Sequence, residues 1–265
     1  MSKQLFAIFG DPVSHSRSPL MHNSVFKQLN YNACYTRVHL TDGSKLRETF
    51  LNLKLSGANI TVPHKEEAFK ACDEVRGFAT KIGVVNTIVK ENGKLIGYNT
   101  DADGFLFSIS EFKNIKTILI LGAGGTAKAL SQKFSDEGFE VTILNRSENR
   151  LQSYTESGFK TFTWESFEIK KYDLVINTTS AGLQDSNLPA PKEIIKPLLQ
   201  QSSYVADAIY GKVTPFLALA KELNKEYKDG ADMLLGQGVL ANNYFTASTF
   251  DLKTIEKYMR ESFNY

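Results

Sequence analysis

The chain has 265 residues, a formal net charge of +2 and 23% charged residues, so it is long enough to bury a sizeable core and to form two domains. Charges of both signs are interspersed, which indicates neither a nucleic-acid nor a membrane surface, and no apolar run approaches the ~20 residues of a membrane span. Cys34, Cys72 and four scattered histidines form no disulfide framework or metal-ligand pattern. Without the apolar core of a signal peptide at its start, the chain is expected to be a soluble, cytoplasmic protein without a metal.

The first predicted element is a short buried strand over residues 5–9, which a Gly-Asp-Pro turn ends. A hydroxyl-rich loop over 14–19 follows and runs into a helix. Ser18 as the N-cap and Pro19 at the first helical position are ordinary preferences at a helix start. These preferences leave Ser16 unexplained. Neutral hydroxyl groups beside a helix N-terminus are well suited to holding a small carboxylate.

The next predicted elements are a strand over 35–40, a helix whose buried face carries Leu46, Phe50 and Leu53, and a strand over 58–62. Pro63 ends that strand, and a short helix begins near His64. Lys65 therefore lies just past the carboxyl end of a strand, where open α/β sheets place groups that bind ligands. On the local sequence alone, a surface lysine with a glutamate neighbour is the simpler interpretation.

A strand over 84–89 contains Asn86, an unusual residue for a buried strand. Residues 91–94 predict a hairpin turn, so the strand over 95–98 returns antiparallel. Asp101 follows that strand, and the spacing does not decide whether it caps the next helix or carries chemistry. These elements predict a mixed sheet in a first domain of roughly residues 1–100.

Residues 117–147 have the pattern of a mononucleotide-binding βαβ unit, with a strand over 117–121, a helix over 126–137 and a strand over 141–144. Gly122, Gly124 and Gly125 form the turn after the first strand, where missing side chains let backbone N–H groups approach a phosphate. The glycines match G-x-G-x-x-A in the required strand-to-helix context. This context favours a dinucleotide site, although a similar turn can simply begin a helix.

The residues that follow the second strand of this unit bear on the choice of cofactor. Enzymes that use NAD usually place Asp or Glu there for the ribose hydroxyls, whereas an Arg accommodates the 2′-phosphate of NADP. Asn145 and Arg146 occupy these positions. NADP is therefore predicted, with a solvated surface charge as the alternative interpretation of Arg146.

Further strands are predicted over 159–163, 174–177 and 205–209, followed by a helix from Pro215 to about 224 and helical structure from about 231 to the end of the chain. The small, polar loop over 177–182 suits the floor of a nicotinamide pocket, although a plain turn would have the same composition. Gln237 lies near the start of the last helical segment. A glutamine in such an apolar segment needs a hydrogen-bond partner.

Together these motifs resemble the shikimate dehydrogenase family along the whole chain. The segments that carry the resemblance are SHSRSP at 14–19, NITVPHKE at 59–66, GVVNT at 83–87, GYNTD at 97–101, GAGG at 122–125, NRS at 145–147, NTTSAG at 177–182, DAIY at 207–210 and GQG at 236–238. The resemblance implies an α/β protein of two domains. A mixed-sheet substrate domain would comprise 1–100 with 237–265, whose helices pack back on it, and a Rossmann-type NADP domain would comprise 101–236.

The reaction that the resemblance implies is the reversible reduction of 3-dehydroshikimate to shikimate by NADPH, on the route to chorismate and the aromatic amino acids. Lys65 and Asp101 match the catalytic pair of the family. The implied substrate-binding residues are Ser16, Ser18, Thr61, Lys65, Asn86, Asp101, Tyr210 and Gln237. The implied cofactor-binding residues are Gly122, Ala123, Gly124, Gly125, Thr126, Asn145, Arg146, Ser147, Arg150, Ala208 and Gly230. The oligomeric state, monomer or homodimer, is left open.

Departures from the family pattern are modest. Thr126, Ser147 and Ala208 stand where Ala, Thr and a larger apolar residue are common, and none of them removes a catalytic group. Three alternatives stay open: a relative that also uses quinate or NAD, an NADP-sensing binding protein with an inactive site, and a folate-type dehydrogenase. The last would not call for the carboxylate loop at 14–19.

Overall fold

The structure, a computed structural model, describes residues 3–264 of the chain. The described residues divide into two compact units, one that runs up to Gly104 and resumes at Leu235, and one formed by Phe105–Leu234. One unit contains a mixed sheet and the other a parallel sheet, which confirms the predicted fold class. The division into a substrate domain and a cofactor domain at the predicted bounds stays a prediction. No helix in this part of the chain is long and apolar enough to cross a membrane.

The regular elements follow one another along the chain with short connections. The strands are β1 (Gln4–Gly10), β2 (Ala33–His39), β3 (Gly57–Ile60), β4 (Glu74–Val75), β5 (Thr87–Glu91), β6 (Lys94–Tyr98), β7 (Thr117–Leu121), β8 (Glu140–Leu144), β9 (Lys160–Phe162), β10 (Leu174–Asn177), β11 (Tyr204–Asp207) and β12 (Glu226–Lys228). The α-helices are α1 (Ser18–Gln28), α2 (Leu46–Asn52), α3 (Lys65–Ala71), α4 (Phe78–Ile82), α5 (Asp101–Ser108), α6 (Gly125–Asp136), α7 (Gln152–Glu156), α8 (Lys192–Gln201), α9 (Pro215–Glu222), α10 (Ala231–Phe245) and α11 (Leu252–Glu261).

The sheet of the first unit has the strand order β2-β1-β3-β5-β6-β4. Strand β1 is parallel to β2 and β3, whereas β5 is antiparallel to both β3 and β6. The predicted hairpin between β5 and β6 is present, with Asn92 and Gly93 at φ values of 50° and 82°. Positive φ at both central residues matches the twist of the two strands that the turn connects.

This arrangement brings four connections to one edge of the first sheet. Strand β1 ends beside β3, since Phe9 pairs with Ile60. Thr87 at the start of β5 pairs with Asn59 near the end of β3 and with Tyr98 at the end of β6. The loops after β1, β3 and β6 and the segment before β5 therefore all leave the sheet at the same edge.

The sheet of the second unit is parallel throughout its described strands, in the order β12-β11-β10-β7-β8-β9. The chain runs outward from β7 to β8 and β9 and then returns to the other side of β7 with β10. Strands β7 and β10 therefore flank the switch point of the topology, where sheets of this type bind ligands beyond the carboxyl ends of their strands. On α6, Ala127, Leu130 and Phe134 are fully buried, as the sequence pattern predicts.

The C-terminal helices belong to the first unit, which confirms the prediction that they pack back on it. Phe245 of α10 lies against Phe6 of β1, with 4.7 Å between the ring centroids. At Gly238, also on α10, an added Cβ would come within 2.9 Å of Met21 on α1 and of Met259 on α11. The close approach of these side chains needs a residue without a side chain at this point.

Some predicted element ends are wrong. Arg17, not Ser18, occupies the N-cap of α1, and Ser18 is the first helical residue. Leu53 does not belong to a buried face, because it is the C-cap of α2 and is 42% exposed. The strand predicted over 84–89 begins at Thr87, which leaves Asn86 in the preceding connection. The start of β5 depends on the pairing of Thr87 with β3 and β6, which leaves no local signature in the sequence.

A buried histidine lies between the sheet and the C-terminal helices of the first unit. His22 of α1 is fully buried, stacks on Tyr35 with 4.4 Å between ring centroids, and has its Nδ1 3.0 Å from the amide nitrogen of Asn242. Burial lowers the pKa of His22 from 6.5 to about 3, since a charged imidazole would lose its hydration there. The folded protein therefore keeps His22 neutral at pH 7.

We expect His22 to make the folded state sensitive to acid. The unfolded chain binds the imidazole proton at about pH 6.5 and the folded chain only near pH 3, so the free energy of unfolding falls as the pH drops through this window. The slope is about 1.4 kcal/mol per pH unit, which amounts to about 2 kcal/mol at pH 5. Urea denaturation of the wild type and of His22→Gln at neutral pH and at about pH 5 measures it. A difference between the two proteins that does not change with pH would contradict the prediction.

Candidate active site

Lys65 and Asp101 form an ion pair at the edge of the first sheet where the four connections meet. Lys65 is the first residue of α3 and follows the turn after β3, whereas Asp101 is the first residue of α5 and follows β6. The Lys65 Nζ donates to Asp101 Oδ2 at 2.6 Å. The two side chains are 27% and 16% exposed, so the pair is largely shielded from solvent and still partly accessible.

Asn86 holds the segment that carries Asp101. The Asn86 Oδ1 accepts a hydrogen bond from the Thr100 N–H at 2.9 Å, and its Nδ2 donates to Thr100 Oγ1 at 3.0 Å. Next to it, the Asn99 Oδ1 accepts from the Asp101 N–H at 3.1 Å. On the other side of the pair, the Val85 N–H donates to the carbonyl of Lys65 at 3.0 Å. The buried amide of Asn86 therefore fixes the backbone from which the Asp101 carboxylate projects.

Ser16 and Ser18 form a second cluster, in the loop after β1. Both are buried, with 7% and 4% of their surface exposed, and the Ser16 Oγ donates to the Ser18 Oγ at 3.2 Å. Arg37 of β2 donates from Nε at 3.1 Å and from Nη2 at 2.5 Å to the carbonyl oxygen of Ser16. The guanidinium therefore fixes the loop, and both hydroxyls lie at the N-terminal end of α1, which favours an anion.

Thr61 and Gln237 lie on elements that touch the same edge. The Thr61 N–H donates to the carbonyl of Phe9 at 2.9 Å, which ties the loop after β3 to the end of β1. Gln237 lies on α10, where a Cβ added to Gly104 of α5 would stand 2.4 Å from its backbone nitrogen. Helices α5 and α10 therefore meet in backbone contact, one turn beyond Asp101.

A chain of buried polar groups that the sequence patterns did not indicate supports this edge from within the sheet. The Tyr35 hydroxyl donates to Asn59 Oδ1 at 2.7 Å, and Asn59 Nδ2 donates to Thr87 Oγ1 at 3.1 Å. The Thr87 hydroxyl donates in turn to Asn86 Oδ1 at 2.9 Å. Burial raises the pKa of Tyr35 well above its ordinary value, so its hydroxyl stays a donor. In the sequence, the polar residues within otherwise apolar strands are the signal that could have indicated this chain of hydrogen bonds.

The second unit contains a cavity of about 930 Å³ at the carboxyl ends of β7, β8 and β10. The predicted cofactor-binding residues that line it are Gly122, Ala123, Gly124, Asn145, Arg146, Ser147 and Arg150, and residues 178–181 of the predicted polar loop lie beside them. The described lining leaves out Gly125, Thr126, Ala208 and Gly230. Gly125 and Thr126 begin α6, directly behind the glycine turn.

The glycine turn has the geometry of a phosphate cradle. Gly122 has a φ of +104°, and a Cβ there would come within 2.8 Å of Thr179 Cγ2. At Gly124 and Gly125 an added Cβ would meet nothing within 4 Å, so the space beside the backbone is open there. The buried Tyr154 donates from its hydroxyl to the Gly124 carbonyl at 3.2 Å and holds the turn in place. The turn therefore fits the pyrophosphate of a dinucleotide at the N-terminus of α6.

Arg146 and Arg150 extend into solvent beside this turn. Both are exposed and line the cavity. The Asn145 Nδ2 donates to the carbonyl of Ser147 at 2.9 Å, so the asparagine amide shapes the loop itself. Arg146 and Arg150 bring positive charge to the cavity, which suits the binding of a phosphate.

Ala208 and Gly230 meet in another part of the second unit. A Cβ added to Gly230 would stand 2.3 Å from the Ala208 carbonyl oxygen, and the Gly230 N–H donates to Ile209 at 2.9 Å. The buried Asp207 organises this turn, because its carboxylate accepts from the Ile209 N–H at 3.0 Å and from Asn177 Nδ2 at 3.0 Å. Burial raises the pKa of Asp207. Tyr210 follows directly in the chain.

Two family models match the chain: one described as the shikimate dehydrogenase substrate binding domain over residues 8–88, and one described as shikimate / quinate 5-dehydrogenase over 108–186. A Helicobacter hepaticus protein named shikimate dehydrogenase (NADP(+)) is 44% identical over 253 residues, which cover 95% of this chain and 94% of that protein. A protein of the same name from Helicobacter pylori is 43% identical over 269 residues, which cover 99% of this chain and 100% of that protein.

Solved structures of shikimate dehydrogenases are also similar to this chain. Shikimate dehydrogenase from Aquifex aeolicus is similar to this chain with a TM-score of 0.84 and 33% identity, over 97% of this chain and 98% of that one. Shikimate 5-dehydrogenase from Thermus thermophilus, solved in complex with NADP(H) and shikimate, has a TM-score of 0.83 and 30% identity, over 98% of this chain and 99% of that one.

Proposed function

Because the chain belongs to the shikimate dehydrogenase family, we infer that it catalyses the reversible reduction of 3-dehydroshikimate to shikimate by NADPH. The relatives carry NADP(+) in their names, and this confirms the predicted cofactor and the predicted class, an oxidoreductase of the shikimate pathway. The structural observation that carries the function is the Lys65–Asp101 pair, 2.6 Å apart, at the sheet edge that also bears the two buried serines. That the chain acts as a monomer or a homodimer stays a prediction.

When bound, NADPH supplies the hydride that reduces the ring ketone. The chain itself must then stabilise the negative charge on the ketone oxygen and deliver a proton to it. We assign both tasks to Lys65, since an ammonium group can donate a hydrogen bond to the oxygen and then its proton. In the direction of shikimate oxidation the neutral amine accepts the proton of the alcohol. Asp101 holds the Lys65 amine in position through the 2.6 Å hydrogen bond.

The substrate carboxylate is assigned to Ser16 and Ser18, whose hydroxyls point together at the N-terminal end of α1. Thr61, Asn86, Asp101 and Gln237 are assigned to the ring hydroxyls. Asn86 uses its Oδ1 and one amide hydrogen inside the protein, so its second amide hydrogen is the group that can serve a ligand. Tyr210 is proposed as a further substrate contact.

Ser16→Ala should raise the KM for shikimate about tenfold and change kcat little. The carboxylate lies remote from the reacting carbonyl, so its hydrogen bonds are equally strong in the ground state and the transition state. Steady-state kinetics with saturating NADP measure both constants. Ser14→Ala is the matched control, because Ser14 is an exposed hydroxyl of the same loop. A fall in kcat at constant KM would show that Ser16 does not bind the carboxylate.

For the cofactor, the glycine turn from Gly122 to Thr126 is assigned to the pyrophosphate, and Arg146 and Arg150 are assigned to the 2′-phosphate. Asn145 and Ser147 shape the loop between them. Ala208 and Gly230 are proposed as contacts toward the nicotinamide end. The open space in front of Gly124 and Gly125 and the exposed guanidinium groups support these assignments.

The function is tested by oxidation of shikimate or quinate with NADP or NAD, in which the absorbance of the NADPH or NADH formed is followed. We expect shikimate with NADP to give the highest kcat/KM. Equal rates with quinate would favour a quinate/shikimate dehydrogenase. Absence of any NADP-dependent oxidation of shikimate by the folded protein would exclude the function and favour an NADP-binding protein without activity.

A further inference from the structure

The single tryptophan of the sequence lies at the cavity of the second unit. Trp164 follows β9 by two residues, and β9 pairs with β8 so that Phe162 lies opposite Leu144. The backbone N–H of Asn145 donates to the carbonyl of Phe162 at 3.1 Å. Trp164 therefore leaves the sheet directly beside the loop that carries Arg146.

The indole of Trp164 contacts two environments, the hydrophobic core and the cavity. Trp164 packs against the hydrophobic core of the second unit, together with Phe162 and Leu188, and is only partly buried. Its remaining surface borders the cavity of about 930 Å³. An aromatic ring with an apolar backing and a side open to a polar cavity offers a flat surface on which a planar ring can stack.

The positions expected for the pyrophosphate and the ribose along the cavity indicate which planar ring would lie near Trp164. In a βαβ unit the pyrophosphate lies at the glycine turn after the first strand, and the adenosine ribose lies at the end of the second strand. Here those points are Gly122–Gly125 and Asn145–Arg146. The base attached to that ribose extends further in the same direction, toward the neighbouring strand β9 and Trp164. We propose that the indole of Trp164 binds the adenine ring of NADP(H) by stacking, an inference that rests on the proposed cofactor site.

The wild-type protein offers a direct test, because its tryptophan fluorescence comes from Trp164 alone. Titration with 2′,5′-ADP, which contains the adenosine half without nicotinamide, should quench this fluorescence in a saturable manner. Oxidised nicotinamide mononucleotide, which contains no adenine and does not absorb where tryptophan emits, should leave it unchanged. Quenching by the mononucleotide alone, or by neither compound under conditions where calorimetry shows 2′,5′-ADP to be bound, would overturn the proposal.

A substitution gives the size of the contribution. Trp164→Ala should raise the Kd of 2′,5′-ADP about 5- to 150-fold, the range expected for the loss of one stacked base, and Trp164→Phe should restore part of it. Phe167→Ala is the matched control, since Phe167 packs on the same core but is not part of the described cavity lining. Calorimetric titration measures each Kd, and thermal unfolding establishes that each variant is folded.

The outcomes separate this inference from the proposed function. If the wild type oxidises shikimate with NADP while folded Trp164→Ala keeps the wild-type Kd for 2′,5′-ADP, the stacking proposal is wrong and the function stands. If the wild type binds neither NADP nor 2′,5′-ADP, both fail. Should Trp164→Ala not fold, the fluorescence of the wild type decides the question.

Discussion

Replacing Lys65 with alanine should lower kcat by about 10²–10⁴-fold, the range of a positioned general acid or base. The ketone oxygen would then develop its charge without the ammonium group and would have to take its proton from water. Binding of NADPH should be unchanged, because Lys65 belongs to the first unit and the predicted cofactor residues all belong to the second. Steady-state kinetics with shikimate and NADP, together with fluorescence titration of NADPH, measure the two effects.

Lys70→Ala is the control for this experiment, because Lys70 lies on the same helix and its amine pairs with Glu67 at the exposed surface. Loss of Lys65 leaves the largely shielded Asp101 without its cation, so the free energy of unfolding should fall, and thermal unfolding establishes that the variant is folded under the assay conditions. A turnover for Lys65→Ala within a few-fold of the wild type would remove Lys65 from the chemistry and leave it as a structural partner of Asp101.

Replacing both Arg146 and Arg150 with alanine should reduce the preference for NADPH over NADH by about 10²-fold. Each charge-assisted hydrogen bond to a phosphate is worth about 1.5–3 kcal/mol, and the two arginines act on the same group. The Kd of NADH should stay constant, because NADH lacks the 2′-phosphate. The ratio of the two Kd values, measured by calorimetry, reports the effect without interference from folding.

Ionic strength provides a second measure of the same interaction. Both guanidinium groups are exposed, so added salt should weaken wild-type binding of NADPH and have little influence on the double variant. Lys160→Ala is the control for charge, since Lys160 lies at the amino end of β9, on the opposite edge of the sheet. A double variant that loses affinity for NADPH and NADH alike would show that the arginines shape the cavity and do not read the phosphate.

The βαβ unit was the part of the fold that local sequence predicts best. A strand buried on both faces of a parallel sheet must be apolar at every position, so Thr117–Leu121 stands out between Lys116 and Gly122. The glycine turn and the buried face of α6 follow from the same local rules. The predicted start of the strand near Asn86 is wrong, because this boundary depends on pairing with β3 and β6 and not on the strand's own residues.

The candidate catalytic pair illustrates what local patterns cannot supply. Lys65 and Asp101 are separated by 36 positions, and only the strand order of the mixed sheet brings their side chains to 2.6 Å. Composition and spacing favour a surface lysine at position 65, and they do not decide whether Asp101 caps a helix or carries chemistry. The resemblance to a known family predicts the pair. The hydrogen bonds between Asn86 and Thr100, which the sequence does not predict, explain why Asp101 keeps its position.

The backbone contact between α5 and α10 has a consequence for how this chain can evolve. Any side chain at Gly104 would collide with Gln237, and the collision would separate the two helices that carry Gln237 and Asp101. A single substitution at Gly104 would thus disturb two assigned substrate contacts without replacing either residue. A library of variants selected for activity should therefore tolerate no replacement at Gly104, alanine included, although glycine offers no chemical group to the substrate.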